Sequence, residues 1–146
     1  MKKIIPFILF FVLAFISFNA QSQCKSFAKK ICKLELHPYI HDGNYNAAIL
    51  TEGEDAELYK TFYADQQYRI AVCGSEALPR INWQVLDLNR NVLFDNSKND
   101  NTTTWDFNLE ASQQLIIFVK VESSSTSSEL EILSGCVSIM FGILDE

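Results

Sequence analysis

The alternation of apolar and polar residues in the C-terminal two-thirds of the chain constrains its fold more than any other feature. Residues 68–73 (YRIAVC) and 104–109 (TWDFNL) show the period of two that is typical of strands. Turn residues at 52–55, 74–75 and 89–91 help to separate about seven or eight such segments. No long helical segments lie between them, which disfavours a parallel sheet. The sequence therefore predicts an antiparallel, jelly-roll-like β-sandwich.

One short helix is predicted before the strands, over residues 25–36. Phe27, Ile31 and Leu34 recur at spacings of four and three, with lysines on the opposite side. The helix is expected to end before Pro38, because the residue that precedes a proline avoids helical dihedral angles. The remaining predicted elements are a loop at 37–46, strands at 47–51, 58–64, 68–73, 81–85, 92–94, 104–109, 115–121 and 135–144, and a serine-rich loop at 123–128.

Residues 1–22 have the order of a secretory signal peptide. Two lysines precede an apolar run at 4–18, and Ala20 and Ser22 offer cleavage positions. The run covers about 15 residues, fewer than the roughly 20 that span a bilayer. We therefore expect residues 23–146 to form a single exported domain, periplasmic or secreted, with no stable membrane insertion after cleavage.

The charge of this mature chain excludes two classes of partner. Removal of residues 1–22 leaves 10 basic against 18 acidic residues, a net charge of −8. Nucleic acid is bound mainly through lysine and arginine contacts to phosphate, so an acidic domain is not expected to bind it. Anionic lipid would repel it as well.

Three segments together resemble a known family of secreted modules. They are LYKTFYADQQYRIAVCG (58–74), INWQVLDLNRNVLFDN (81–96) and TWDFNLEASQQLIIFVKVE (104–122). Their layout resembles the bacterial pre-peptidase C-terminal type of β-sandwich, a jelly-roll module often appended to secreted enzymes. The chain departs from the family at Arg90, where a glycine is usual, and we expect no protease before the module. The resemblance therefore implies a fold more than a function.

The four cysteines are expected to form disulfides in an exported protein. Cys24 and Cys32 lie about 12 Å apart along a helix axis, whereas bridged Cα atoms lie within about 7 Å, so these two do not pair. The favoured arrangement joins each of them to the sandwich, Cys32 to Cys73 and Cys24 to Cys136. The alternatives are a direct Cys73–Cys136 bridge between neighbouring strands and a zinc site of four thiolates, which lacks the usual C-x2-4-C spacing.

The phase of the strands supports this stapled helix. Cys73 and Cys136 point out of the predicted core, onto the same outer faces as Ala71 and Met140. Ile116 and Phe118 also face outward, and an apolar outer face needs a cover. We expect Phe27, Ile31 and Leu34 of the helix to provide it.

Asp87, Asn89, Asn91 and Asp95 form a candidate calcium site. Their oxygen atoms recur at alternate positions, as in calcium-binding loops. The glycine and the bidentate glutamate of an EF-hand are missing, however, and Asn and Asp are also typical turn residues. We interpret this segment as a structural hairpin, with calcium as the alternative and no other cofactor expected.

Other candidate sites have a simpler structural interpretation. The acidic run at 52–57 could bind a cation but is typical of a solvated loop, and His37 and His41 lack the H-E-x-x-H arrangement of a metal site. Trp83 and Trp105 fall in phase with core residues. Tyr59 and Tyr63 are the better candidates for an exposed aromatic pair.

No motif of a catalytic site is present, so the chain is not expected to be an enzyme. The sequence favours an exported, non-catalytic binding or adhesion module whose partner is an envelope protein or a glycan. The alternatives are a subunit or chaperone-like partner of a larger envelope complex, using a sheet face or edge, and, last, a small hydrolase.

Overall fold

The computed structural model describes residues 19–124 and 131–145. The apolar run at 4–18 and most of the serine-rich loop lie outside these ranges, so signal-peptide cleavage stays a prediction. Within the described ranges, no helix is long and apolar enough to cross a membrane.

The described residues form one α-helix and nine strands. The helix α1 spans Asn19–Lys30, and a 3-10 helix follows at Cys32–Leu36. The strands are β1 (Ile40–His41), β2 (Asn46–Thr51), β3 (Asp55–Phe62), β4 (Gln67–Gly74), β5 (Ile81–Leu86), β6 (Val92–Asp95), β7 (Thr104–Asn108), β8 (Gln113–Val121) and β9 (Ser134–Ile143). The first of these strands falls inside the predicted loop at 37–46.

The strands make two antiparallel sheets, which confirms the predicted β-sandwich. In the five-stranded sheet, β1 and β2 both pair with β9, which is followed by β4 and β7. The four-stranded sheet has the order β3, β8, β5, β6. The chain crosses from one sheet to the other through the turn at 52–54, so β2 and β3 form edges on the same side of the sandwich.

The core lies between the two sheets and contains the inward residues of nearly every strand. Trp83 is 1% exposed and Trp105 packs partly buried against the same cluster, which confirms that both tryptophans belong to the core. Phe62 is fully buried and meets the rings of Tyr68, Phe107 and Phe141 edge to face at 5.0–5.7 Å. Such pairs add specific geometry to apolar burial.

The helix covers the outer face of the five-stranded sheet, as predicted, and Phe27 packs there as expected, but the other two predicted residues do not. Ile31 and Leu34, expected to face the sheet, are 54% and 71% exposed. Ala28, Cys32 and Leu36 are buried instead, against Ala71 and Met140. A spacing of four places Cys24 and Ala28 on one side of α1, and Cys32 follows four residues later in the 3-10 helix. The two cysteines therefore determine the buried face, in preference to the bulkier apolar residues.

Both disulfides join this N-terminal segment to the five-stranded sheet, with the favoured pairing. Cys24 is bonded to Cys136 on β9, with Cα atoms 5.2 Å apart, and Cys32 to Cys73 on β4, at 5.7 Å. Both distances lie within the ordinary range for a disulfide. All four thiols are thereby consumed, so none of them can serve as a nucleophile or a zinc ligand.

Candidate protein-binding face

The outer face of the four-stranded sheet is not covered by the helix, which packs on the five-stranded sheet. Ile116 and Phe118 lie on it, because β8 belongs to this sheet, and the expectation that they lie under the helix was wrong. Sequence alternation shows which residues of a strand share a face, but it does not show to which sheet the strand belongs.

Strand register brings the outward residues of this sheet into rows. Tyr59 on β3 lies opposite Ile116 on β8, which lies opposite Leu86 on β5. Tyr59 is 50% exposed, whereas Ile116 and Leu86 are 2% and 6% exposed. In the next row Glu57 lies opposite Phe118. The row of Tyr59, Ile116 and Leu86 therefore has a covered apolar centre and an exposed aromatic residue at the β3 edge.

A bulge extends the apolar surface on the opposite edge of the sheet. The register of β5 and β6 shifts between Val85 and Leu86, which pairs Leu86 with Val92. Such a shift places an extra residue on one strand and bends it. Val92 and Leu93 are 51% and 43% exposed, while Phe94 turns into the core.

An ion pair crosses the face between its two sides. Arg90, in the β5–β6 hairpin, donates hydrogen bonds to both carboxylate oxygens of Glu57 on β3, at 2.8 and 3.1 Å. Since β8 lies between these strands, the Arg90 side chain passes over the outer side of β8. Arg90 and the hydroxyl of Tyr59, which donates to Glu57 at 3.2 Å, lower the pKa of Glu57. We name the surface of Glu57, Tyr59, Leu86, Arg90, Val92, Leu93, Ile116 and Phe118 the sheet face.

Arg90 itself has an unusual backbone conformation. Its φ is +64°, in the left-handed region that favours glycine. The position is also where the resembling family usually has glycine. An arginine in the left-handed conformation lowers the stability of the backbone. The favourable interaction of its side chain is the bidentate ion pair with Glu57.

Tyr59 and Tyr63 are both exposed, as predicted, but only Tyr59 lies on the sheet face. Tyr63 is 63% exposed and follows the last residue of β3. Its backbone N–H donates to the hydroxyl of Tyr68 at 3.0 Å. The two tyrosines therefore make a useful contrast, since both are exposed and only one belongs to a larger apolar surface.

The residues of the candidate calcium site take part in local hydrogen bonds. Asp87 accepts from the backbone and side-chain nitrogens of Asn91 at 2.9 and 2.8 Å, and Asp95 accepts from Ser97 and Gln84. These bonds lower the pKa of Asp87, chiefly through Asn91, and of Asp95, chiefly through Ser97. Asn89 lies exposed at the hairpin tip. The geometry is that of a hairpin turn followed by a capped 3-10 helix.

Millimolar calcium is accordingly expected to leave the melting temperature unchanged. The carboxylates already have donors, so an ion would have to replace existing hydrogen bonds. A bound ion at a hundredfold excess over its Kd would add about 2.7 kcal/mol. Thermal unfolding with calcium and with a chelator measures this directly, and an upward shift that disappears in Asp87→Ala would overturn the hairpin interpretation.

The other sequence candidates are also engaged in the structure. Glu54 accepts from the backbone N–H of Thr51, and Glu52 from that of Ser124. His41 contacts the backbone oxygen of Asn44 at 2.9 Å. No group of three or more His, Cys, Asp or Glu side chains suited to a metal ion occurs in residues 19–124 and 131–145.

One cavity lies at an end of the sandwich and was not anticipated from the sequence. It measures about 290 Å³ and is bounded by residues 74–81 and 96–103. Asn96, at its edge, is 2% exposed, accepts from the backbone N–H of Trp83 at 2.9 Å and donates to the oxygen of Ile81 at 3.1 Å. Because both ends of its amide are satisfied, Asn96 serves to hold the loop against β5.

Comparisons with known proteins place the fold in context. No family model matches the chain, and no curated protein matches it. Six chains of known structure do match. One is PliG of Aeromonas hydrophila, a periplasmic lysozyme inhibitor of g-type lysozyme, with a TM-score of 0.50 and 16% identity. The match covers 73% of this chain and 89% of that one. At this identity the likeness shows a shared fold; the resemblance to pre-peptidase modules stays a prediction.

Proposed function

We propose that this chain is an exported, non-catalytic module that binds a protein of the cell envelope through its sheet face. The sheet face is the observation on which this rests. It combines an exposed tyrosine, a paired arginine and a covered apolar centre, and tyrosine and arginine are enriched among the residues that dominate binding energy. Two disulfides support an oxidising compartment outside the cytoplasm.

We further propose that the partner is an enzyme of the lysozyme class. The shared fold with PliG, which inhibits g-type lysozyme, supports this choice. The acidic surplus supports a partner with a basic surface, because complementary charge speeds association and excludes acidic competitors. In this proposal the chain blocks its partner by occupying its surface and performs no chemistry itself.

Replacing Tyr59 by alanine is expected to weaken partner binding about 30-fold, the effect of removing a residue worth about 2 kcal/mol. The assay adds purified protein to a g-type lysozyme and follows both inhibition and binding by surface plasmon resonance. Tyr63→Ala is the matched control, since Tyr63 is as exposed but lies off the sheet face.

Three outcomes would contradict parts of the proposal. Full lysozyme activity in the presence of excess protein would refute the choice of enzyme. Equal losses of partner binding from Tyr59→Ala and Tyr63→Ala would refute the sheet face as the binding site. Selective binding to glycans, with no protein captured from an envelope extract, would favour an adhesion module instead.

A further inference from the structure

A second surface lies on the side of the sandwich where β2 and β3 form the two sheet edges. The two strands belong to different sheets and do not pair with each other. On the opposite side of the sandwich, the gap between β6 and β7 is closed by stacked rings, with Phe94 5.1 Å from Trp105. Among residues 19–124 and 131–145, no such ring stack closes the β2–β3 side, which contains a hollow of about 300 Å³.

The hollow exists because both edge strands have alanine at inward positions. Ala48 on β2 pairs with Val137, whose side chain faces the core, and Ala56 on β3 pairs with Val119. Val119 and Val137 are 1% and 4% exposed and line the hollow. A larger inward residue at either position would fill this space, so the hollow can accept an apolar side chain from outside.

The two edges differ in how well they are protected against another strand. On β3, the inward Lys60 pairs with Asp42 at 2.8 Å and lies 4.6 Å from the ring centre of Phe141. Burial by itself would raise the pKa of Asp42, but hydrogen bonds from Lys60 and Asn44 outweigh it and lower that pKa. An inward charge on an edge strand is a recognised barrier to strand addition. The six residues of β2, NAAILT, include no charge and no proline.

Backbone groups of β2 also remain available for pairing. The N–H of Glu52 donates to the oxygen of Leu133, on the β9 side, whereas the N–H of Thr51 turns the other way and donates to Glu54. Alternate residues of an antiparallel strand direct their backbone groups to opposite sides. The backbone N–H and C=O groups of Ala47 and Ile49 therefore point away from β9. Within the described residues, β9 is the strand with which β2 pairs.

The charge around this edge favours a basic occupant. Asp42 and Glu57 are paired with Lys60 and Arg90, and Lys25 of the helix lies 5.9 Å from the ring centre of Tyr45 near the start of β2. The other acidic side chains between residues 40 and 62 are Glu52, Glu54 and Asp55, at the turn that follows β2. A second copy of this acidic chain would bring like charges together. A partner segment with lysine or arginine near its ends would be attracted.

We propose that the β2 edge binds an extended, basic segment of a partner protein as an added strand, with one apolar side chain inserted between Ala48 and Ala56. Backbone hydrogen bonds to Ala47 and Ile49 supply affinity, and the hollow supplies selection for a branched apolar residue, as in other cases of strand addition. The β2 edge is a different surface from the sheet face. The proposal for this edge does not depend on whether the partner of the sheet face is a lysozyme.

The test measures binding of the acetylated, amidated peptide KKTVTVTKK by isothermal titration calorimetry. Ala48→Leu fills the hollow, and Ala47→Pro removes an N–H that points away from β9, so each should retain the fold and weaken binding at least about tenfold. Unchanged far-ultraviolet circular dichroism confirms the fold. The peptides KKTSTSTKK and EETVTVTEE should bind at least about tenfold more weakly, for lack of the apolar side chain and of the basic ends.

The results separate this site from the sheet face. Tyr59→Ala should leave peptide binding unchanged, and Ala48→Leu should leave capture at the sheet face unchanged. Three results would overturn the proposal: no binding of KKTVTVTKK at millimolar concentration, equal binding by both β2 variants and the unaltered protein, or a dimer in sedimentation analysis that Ala47→Pro dissociates. The last would identify a second copy as the occupant.

Discussion

Replacing Cys24 and Cys136 together by alanine is expected to lower the free energy of unfolding by about 5 kcal/mol. The bridge closes 112 residues of chain, and the loss of conformational freedom in the unfolded state grows with that length. The paired variant Cys32→Ala with Cys73→Ala opens a loop of 41 residues, for which the same relation gives about 4 kcal/mol. Each loss is a large part of the 5–15 kcal/mol typical of a domain.

Urea unfolding followed by circular dichroism measures both losses, and the two double variants serve as controls for each other. Because Cys24 and Cys32 are equally buried, the difference between them reports mainly on loop length. A loss below about 1 kcal/mol in both would show that the helix contributes little to holding the sandwich together.

Trp83→Ala is expected to lower the free energy of unfolding by about 4 kcal/mol, in the range measured for large aromatic core residues. The side chain is 1% exposed, packs 4.7 Å from the ring centre of Phe94, and donates from its indole nitrogen to the oxygen of Thr102 at 2.9 Å. Truncation would enlarge the adjoining cavity of about 290 Å³, so the space left behind would be poorly refilled.

Trp83→Phe separates packing from hydrogen bonding at this position. It keeps an aromatic ring in the core and removes the indole donor, so a loss of about 1–2 kcal/mol is expected. Circular dichroism is the appropriate signal, because the substitution removes one of two tryptophan fluorophores. Equal losses from the alanine and phenylalanine variants would show that the hydrogen bond to Thr102, and not the packing of the ring, dominates.

Most of the sandwich could be predicted from the period of two, because alternation reports directly on burial in an antiparallel sheet. Strand ends were shifted by a few residues, as at β3, which begins at Asp55 rather than Leu58. The disulfide pairing was favoured from the sequence, since helix geometry excluded a Cys24–Cys32 bridge and strand phase placed Cys73 and Cys136 outward, but a direct Cys73–Cys136 bridge stayed open.

The sheet face was harder to anticipate, because it depends on contacts between distant segments. The sequence predicts an apolar outer surface at Ile116 and Phe118, but it does not show which of the two sheets contains that surface. Glu57 falls in the predicted acidic loop and Arg90 in a predicted turn, yet the two form one ion pair 33 positions apart. No local pattern marks such a pair.

The nested order of the two disulfides sets a sequence of events for oxidation. Ribosomes release Cys24 first among the four cysteines, yet its partner Cys136 belongs to the last strand. Cys32 and Cys73, enclosed between them, can join as soon as β4 is present. If Cys24 bonds to either of these two first, the native Cys24–Cys136 bridge cannot form until that bond is broken. Disulfide exchange would correct such an early pairing, and the native bridge fastens α1 only after β9 has been made.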